Sequence, residues 1–111
     1  MIADPFSGFF AADSFASVGV PVQLWASERG GDGVTPESVA SVDANLPAKH
    51  QYHVVPNSAH FGFLPPCPPV LANNRPELCT DATGFDRAAF HEQFNSSVLA
   101  FFQTHLTPQG G

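Results

Sequence analysis

The sequence has little positive charge. Four lysine and arginine residues face ten aspartate and glutamate residues in a chain of 111, and the formal net charge is −6. The cations are scattered along the chain, at Arg29, Lys49, Arg75 and Arg87. Nucleic acids and anionic membrane surfaces select clustered basic residues, so both kinds of partner are disfavoured. The acidity is most simply a contribution to solubility.

Long apolar runs are also missing. No stretch approaches the ~20 residues that a membrane-spanning helix needs, and no basic start followed by an apolar segment suggests a signal peptide. The first five residues, 1–5, look like the end of a strand that enters a loop. We therefore interpret Met1 as an internal methionine, so the missing signal peptide says little about where the parent protein resides.

Cysteine is scarce as well, and its two positions are informative. Cys67 and Cys79 lie in a proline-rich segment, and the chain has no Cys-x-x-Cys motif. Two cysteines alone cannot hold zinc, so we predict no metal site. A Cys67–Cys79 disulfide would stabilise the loop by about 3 kcal/mol and would place the protein in the periplasm or outside the cell. Two buried free thiols are the alternative.

What is abundant is apolar and aromatic surface. The hydrophobic fraction is 43%, with eleven phenylalanines and one tryptophan, which is typical of a folded chain rather than a disordered one. The length allows one domain at most. We find no internal repeats and no low-complexity tract.

The central part of the chain predicts a β–α–β unit. Residues 20–26 form an apolar stretch typical of a buried parallel strand, and a second strand is predicted at residues 51–55. Between them, Thr35 is a good helix cap and Pro36 suits the first helical position. One helix face then carries apolar residues at helical spacing: Val39, Val42 and Leu46. Such a crossover places the two strands in parallel.

The last third predicts a loop and a helix. Proline is so frequent in residues 61–84 that we expect no regular structure there, and a loop of this length is usually functional. Residues 86–105 predict a long amphipathic helix that Asp86 caps. Its apolar stripe, which needs a sheet to pack against, consists of Phe90, Phe94, Val98, Phe101 and Leu106. Pro108, Gly110 and Gly111 are expected to end it.

His60 is the strongest candidate for catalytic chemistry. It ends a small-residue turn directly after the second predicted strand, and Asp32 follows the first strand in a glycine-rich loop. Strand, acid, helix, strand and histidine is the order in which α/β hydrolases deliver the last two members of a Ser–His–Asp triad. We predict His60 as general base and Asp32 as the acid that orients it, with Glu28 in reserve. The alternatives are a partly buried histidine satisfied by backbone and an ordinary turn aspartate.

A nucleophile is not apparent. No serine lies in a Gly-x-Ser-x-Gly setting, and Ser58 is only two residues from His60 without a suitable turn around it. The histidines show no spacing typical of a metal site, because His53 and His60 are too far apart and no helical His-x-x-x-His is present. The sequence therefore offers a base and an acid but no serine.

Several segments together resemble a known family. Residues 21–25, 31–32, 53–67, 76–81 and 84–91 are similar to the C-terminal part of bacterial dienelactone-hydrolase-like α/β hydrolases. The resemblance implies a Ser–His–Asp esterase acting on esters or lactones without a cofactor. It implies His60 as base and, less directly, Asp32 as acid. The nucleophile-bearing half would lie before Met1.

The fold that we expect is therefore α/β. Residues 1–111 would be the C-terminal portion of an α/β-hydrolase domain, a partial fold with two parallel strands, a crossover helix and a packed terminal helix. Because two strands bury little surface, we expect a weakly stable chain that self-associates or is completed by a missing N-terminal half. The competing interpretations are a non-catalytic truncated fragment and a small binding module clamped by its disulfide.

Overall fold

The computed structural model describes residues 1–47 and 49–106 as a small α/β domain. Two short 3₁₀ turns, at His60–Phe63 and Pro76–Leu78, supplement the strands and helices. In chain order the strands and helices are β1 (Ile2–Ala3), β2 (Val22–Ser27), α1 (Pro36–Asn45), β3 (His50–Val55), α2 (Pro69–Asn74) and α3 (Arg87–Leu106).

The sheet has three parallel strands in the order β1-β2-β3. In the central strand β2, Leu24 pairs with Ile2 of β1 and with Tyr52 of β3. One strand more than expected is present, because the strand end foreseen at the start of the chain forms a two-residue strand of its own. All three strands run the same way, so their carboxyl ends meet at one edge of the sheet.

Helix α1 covers one face of β2, as predicted. The Thr35 hydroxyl accepts a hydrogen bond from the Ser38 backbone N–H, and Pro36 begins the helix. The apolar residues of this face form one buried cluster with Val34 of the preceding turn: Val22, Leu24, Ala26, Val39, Val42 and Leu46. This side of the sheet is therefore a closed hydrophobic core.

Helix α3 packs on the opposite face. Trp25 of β2 lies against Phe90 and Phe94, with ring centroids 6.3 and 4.8 Å away. The Asp86 carboxylate accepts a hydrogen bond from the Ala89 N–H and caps the helix as predicted. The expected end of the helix, at Pro108, Gly110 and Gly111, lies outside the described residues. With both faces covered, every residue of β2 is buried.

The prediction that residues 61–84 lack regular structure is wrong. The segment includes most of one 3₁₀ turn, all of helix α2 and the second 3₁₀ turn. Pro69 and Pro76 each stand at the start of one of these elements. A proline there loses no intrahelical hydrogen bond, so it favours a short helix rather than preventing it.

The predicted disulfide is confirmed. Cys67 and Cys79 are bonded, with their Cα atoms 5.8 Å apart. Arg87, at the start of α3, binds both carboxylate oxygens of Asp81 and donates to the Leu78 carbonyl at 2.9 Å. The segment closed by the disulfide is thus also tied to the terminal helix.

Candidate functional site

A histidine and a buried carboxylate meet at the carboxyl edge of the sheet. The Nδ1 atom of His60 lies 2.8 Å from Oδ2 of Asp4. Asp4 directly follows β1, whereas His60 follows β3, so the pair spans the end of the central strand β2. The carboxyl edge of a parallel sheet is where such folds place their functional groups.

Asp4 is held in place by hydrogen bonds from the neighbouring strand. The residue is 2% exposed. Its Oδ1 accepts from the Ser27 N–H at 2.8 Å, and its Oδ2 accepts from the Ser27 hydroxyl at 2.7 Å. A buried carboxylate is tolerated when donors surround it in this way. Its φ of 48° is left-handed, a conformation that aspartate accepts more readily than most residues.

The geometry fixes the protonation pattern of the neutral His60 ring. A carboxylate only accepts hydrogen bonds, so Nδ1 carries the proton and Nε2 has a free lone pair. Within residues 1–47 and 49–106, Nε2 makes no hydrogen bond, and it is not one of the polar atoms that are buried without a partner. The side chain is 27% exposed. His60 therefore presents a basic nitrogen to solvent with its other nitrogen anchored.

The turns after β2 and β3 hold each other at this edge. The His60 N–H donates to the Gly30 carbonyl at 2.8 Å, and the Arg29 N–H donates to the Ser58 carbonyl at 2.9 Å. A Cβ atom on Gly31 would lie 3.6 Å from the His60 Cβ, so the two turns are close together. His60 is thus positioned by the backbone of two strand ends as well as by its side chain.

Asp32, the acid predicted from the sequence, does not pair with His60. The N–H and carbonyl groups of Gly31 and Val34 bond each other, which closes a tight turn with Asp32 and Gly33 at its tip. Both tip residues have left-handed φ values, 51° and 88°, typical of an Asp-Gly hairpin turn. The turn carries Asp32 into solvent, and its side chain makes no hydrogen bond or ion pair within the described ranges.

Glu28 and Ser58 stabilise the turns rather than His60. Glu28 accepts a hydrogen bond from the Asn57 N–H at 2.8 Å. The Ser58 hydroxyl is buried, donates to the Val55 carbonyl at 2.7 Å and accepts from the Glu28 N–H at 3.3 Å. Neither side chain contacts the imidazole of His60 through a hydrogen bond.

The histidines of β3 are engaged elsewhere. His50 donates from Nδ1 to the Pro47 carbonyl and from Nε2 to Asp43. The hydrogen bond to Asp43, followed by that to Pro47, raises the pKa of His50 above its ordinary 6.5. His53 stacks on Trp25 at 4.4 Å. Among the described residues, no group of three or more His, Cys, Asp and Glu side chains is placed to hold a metal ion.

The sequence reasoning missed Asp4 and Ser27. A signal was available, because residues 1–5 were interpreted as a strand end and Asp4 is the first polar residue after that strand. A parallel alignment of this strand with β2 would have brought the carboxylate to the same edge as His60. A two-residue strand is too short to be recognised from its pattern alone.

Comparisons with known proteins add no family to this description: no family model, no curated protein and no solved structure matches the chain.

Proposed function

We propose that this chain supplies the general base and the orienting acid of a Ser–His–Asp hydrolase site, with His60 as base and Asp4 as acid. The observation that carries the proposal is the His60–Asp4 hydrogen bond, which leaves Nε2 unprotonated and accessible. The proposed substrates, carboxylic esters or lactones, come from the resemblance of the sequence to dienelactone-hydrolase-like α/β hydrolases. The partial α/β-hydrolase fold belongs to the same proposal.

In the proposed reaction, Nε2 takes the proton of a serine hydroxyl as its oxygen attacks the ester carbonyl. The buried Asp4 carboxylate stabilises the imidazolium that forms, and Nε2 then gives the proton to the departing alkoxide. Water repeats the sequence on the acyl-serine, so that ester and water become acid and alcohol. Ser27 continues to donate two hydrogen bonds to the Asp4 carboxylate throughout.

The nucleophile is assigned to another polypeptide segment. No serine, threonine or cysteine of the described residues is hydrogen-bonded to Nε2 of His60. The carboxyl edge of the sheet, where Asp4 and His60 meet, is the place at which such a segment would present its serine.

An activated ester tests the base without that serine. A neutral imidazole with a free Nε2 attacks p-nitrophenyl acetate directly, releases p-nitrophenolate and is regenerated when water hydrolyses the acyl-imidazole. We expect the purified chain to release p-nitrophenolate faster than buffer and His60→Ala to lower this release to the level that the other exposed histidines, such as His105, contribute. Asp4→Asn should lower the His60-dependent part of the rate at least about tenfold, because the amide donates to Nδ1 and moves the ring proton to Nε2.

The matched control is Asp32→Asn, which changes a carboxylate on the neighbouring turn that does not touch His60. Its rate should equal that of the unmodified chain. Release that is indifferent to His60→Ala, or that falls with Asp32→Asn and not with Asp4→Asn, would contradict the assignment.

A further inference from the structure

His91 is a buried polar residue on α3 that the proposed reaction does not use. It is 8% exposed, and its ring lies 5.2 Å from that of Phe90 and 5.8 Å from that of Phe94. In such aromatic surroundings an apolar side chain would pack without a polar group to satisfy. The buried imidazole of His91 therefore needs a hydrogen-bond partner.

The contact is with the turn that carries His60. Nε2 of His91 lies 2.9 Å from the carbonyl oxygen of Gly62. Gly62 belongs to the 3₁₀ turn His60–Phe63 that starts at the proposed base. A carbonyl only accepts, so His91 carries its proton on Nε2 and donates it.

The same turn has little room to move. A Cβ atom on Gly62 would lie 3.1 Å from the Phe85 ring and 3.8 Å from the Ser58 Cβ. The next residue, Phe63, packs on Phe90 and Phe94, each with a centroid distance of 5.7 Å. On the α3 side, the turn thus has one apolar anchor, Phe63, and one polar anchor, His91.

We propose that His91 is a positioning residue for His60. By fixing the Gly62 carbonyl it sets the orientation of the turn, so that the His60 ring reaches across the end of β2 to Asp4 and keeps its proton on Nδ1. The inference rests on the proposed function, in which an unprotonated Nε2 is the basic atom. His91 acts through the turn and touches neither the substrate nor Asp4 by hydrogen bond.

The test is the tautomer of the neutral His60 ring, measured by long-range ¹⁵N–¹H NMR spectra that distinguish a protonated Nδ1 from a protonated Nε2. His91→Phe keeps a ring in the aromatic cluster and removes the donor. We expect the ratio of the Nδ1–H form to the Nε2–H form at His60 to fall about tenfold, on the order of one neutral hydrogen bond. His91→Gln, whose amide Nε2 can replace the donor, should restore the ratio.

The matched control is His105→Phe, the same substitution on an exposed residue of the same helix, which should leave the ratio unchanged. An unchanged ratio in a folded His91→Phe variant, or an equal loss in His91→Gln and His91→Phe, would overturn the proposal. If His91→Phe does not fold, the unmodified chain decides: we expect Nε2–H at His91 together with Nδ1–H at His60, and Nδ1–H at His91 would overturn it.

The readout involves no ester, so the two proposals fail separately. A tautomer ratio that responds as expected in a chain without His60-dependent release of p-nitrophenolate would count against hydrolysis alone. The reverse pattern would count against the role of His91 alone.

Discussion

Asp4 combines almost complete burial with a negative charge, and it depends on its hydrogen-bond donors. Three hydrogen bonds reach its two oxygens, two from Ser27 and one from His60. Hydrogen bonds to an ionised group contribute more than those between neutral groups, and burial excludes the water that would replace them. The residue therefore ties the ends of all three strands together as well as orienting the histidine.

This predicts that Asp4→Asn destabilises the fold by about 1–3 kcal/mol, because the amide cannot accept from all three donors. Urea unfolding at constant pH measures the change. Asp32→Asn is the control: asparagine tolerates the left-handed conformation at the exposed turn tip, so we expect a change within about 0.5 kcal/mol. Similar losses in both variants would argue that charge, and not the buried contacts, is responsible.

At the scale of single residues, the sequence indicated the histidine better than its acid. His60 follows a recognisable strand, and the structure brings it to the expected edge. Only Asp32 and Glu28 were predicted as acids, because which carboxylate reaches His60 depends on the direction that each loop takes after its strand. For Asp32, the two bonds between Gly31 and Val34 turn the side chain outward, and the order of residues does not reveal such a local closure.

At the scale of elements, α1 and β3 are joined by a charged contact. Both ring nitrogens of His50, the first residue of β3, donate to groups that only accept, the Pro47 carbonyl and the Asp43 carboxylate. The ring is therefore protonated in this arrangement, in accordance with its raised pKa. The contact connects the last turn of α1 to the strand that carries the His60 turn.

The raised pKa predicts how stability depends on pH. A folded-state pKa above the ordinary 6.5 means that His50 stabilises the fold fully below that value, and that this contribution is lost as the pH rises through the folded pKa. Melting temperatures of the unmodified chain and of Asp43→Asn should differ by a few degrees, roughly 4–8 °C per kcal/mol, at acidic pH. The difference should shrink at alkaline pH. A constant or growing difference would contradict the assignment.

The contacts of Arg87 with Asp81 and Leu78 predict that an arginine-to-lysine substitution lowers stability more at Arg87 than at the exposed Arg75. Arg87→Lys removes the two-pronged contact with Asp81 and the bond to Leu78 in a buried setting. We expect a loss of about 1.5–3 kcal/mol in urea unfolding. Arg75→Lys alters an exposed pair with Glu77, which solvent screens, so we expect a much smaller change in stability. Equal losses would show that the Arg87 contacts contribute no more than a surface pair.

Elements with a periodic pattern were predictable, whereas those set by a few contacts were not. The apolar spacing of residues 39–46 and the caps at Thr35 and Asp86 indicated α1 and α3, and both are present. Strand β1 exists because its two residues pair with Leu24 and Trp25. Residues 1–5 indicated a strand end, but nothing in them indicated which strand it pairs with. The short helices between the two cysteines begin at prolines. Proline favours a helix only at its first positions, and the proline content of the segment does not reveal those positions.

At the scale of the whole molecule, a patch of phenylalanine stays exposed. Phe6, Phe9 and Phe10 follow Asp4 and are 52%, 91% and 51% exposed. The bare edges of a three-stranded sheet add unpaired backbone groups on β1 and β3. These features agree with the expectation of a chain that self-associates or is completed by another segment, an expectation that stays a prediction.

Sedimentation velocity over a range of concentrations tests this expectation. The average sedimentation coefficient of the unmodified chain should rise with concentration, because exposed apolar surface favours association. The double variant Phe9→Ser, Phe10→Ser should lower that rise, whereas Val70→Ser, at an exposed residue of α2 outside this segment, should leave it unchanged. An unmodified chain that sediments as a monomer at all concentrations would contradict the prediction.

Trp25 gives this molecule an internal optical probe. It is the only tryptophan, is 6% exposed, and its indole N–H is buried without a hydrogen-bond partner in the part of the chain that the structure describes. An indole so removed from water is expected to emit at short wavelength, and the His53 ring is stacked on it with a centroid distance of 4.4 Å. Because the Trp25 ring contacts Phe90 and Phe94 of α3, its fluorescence is expected to report whether the terminal helix is packed on the sheet, without any added label.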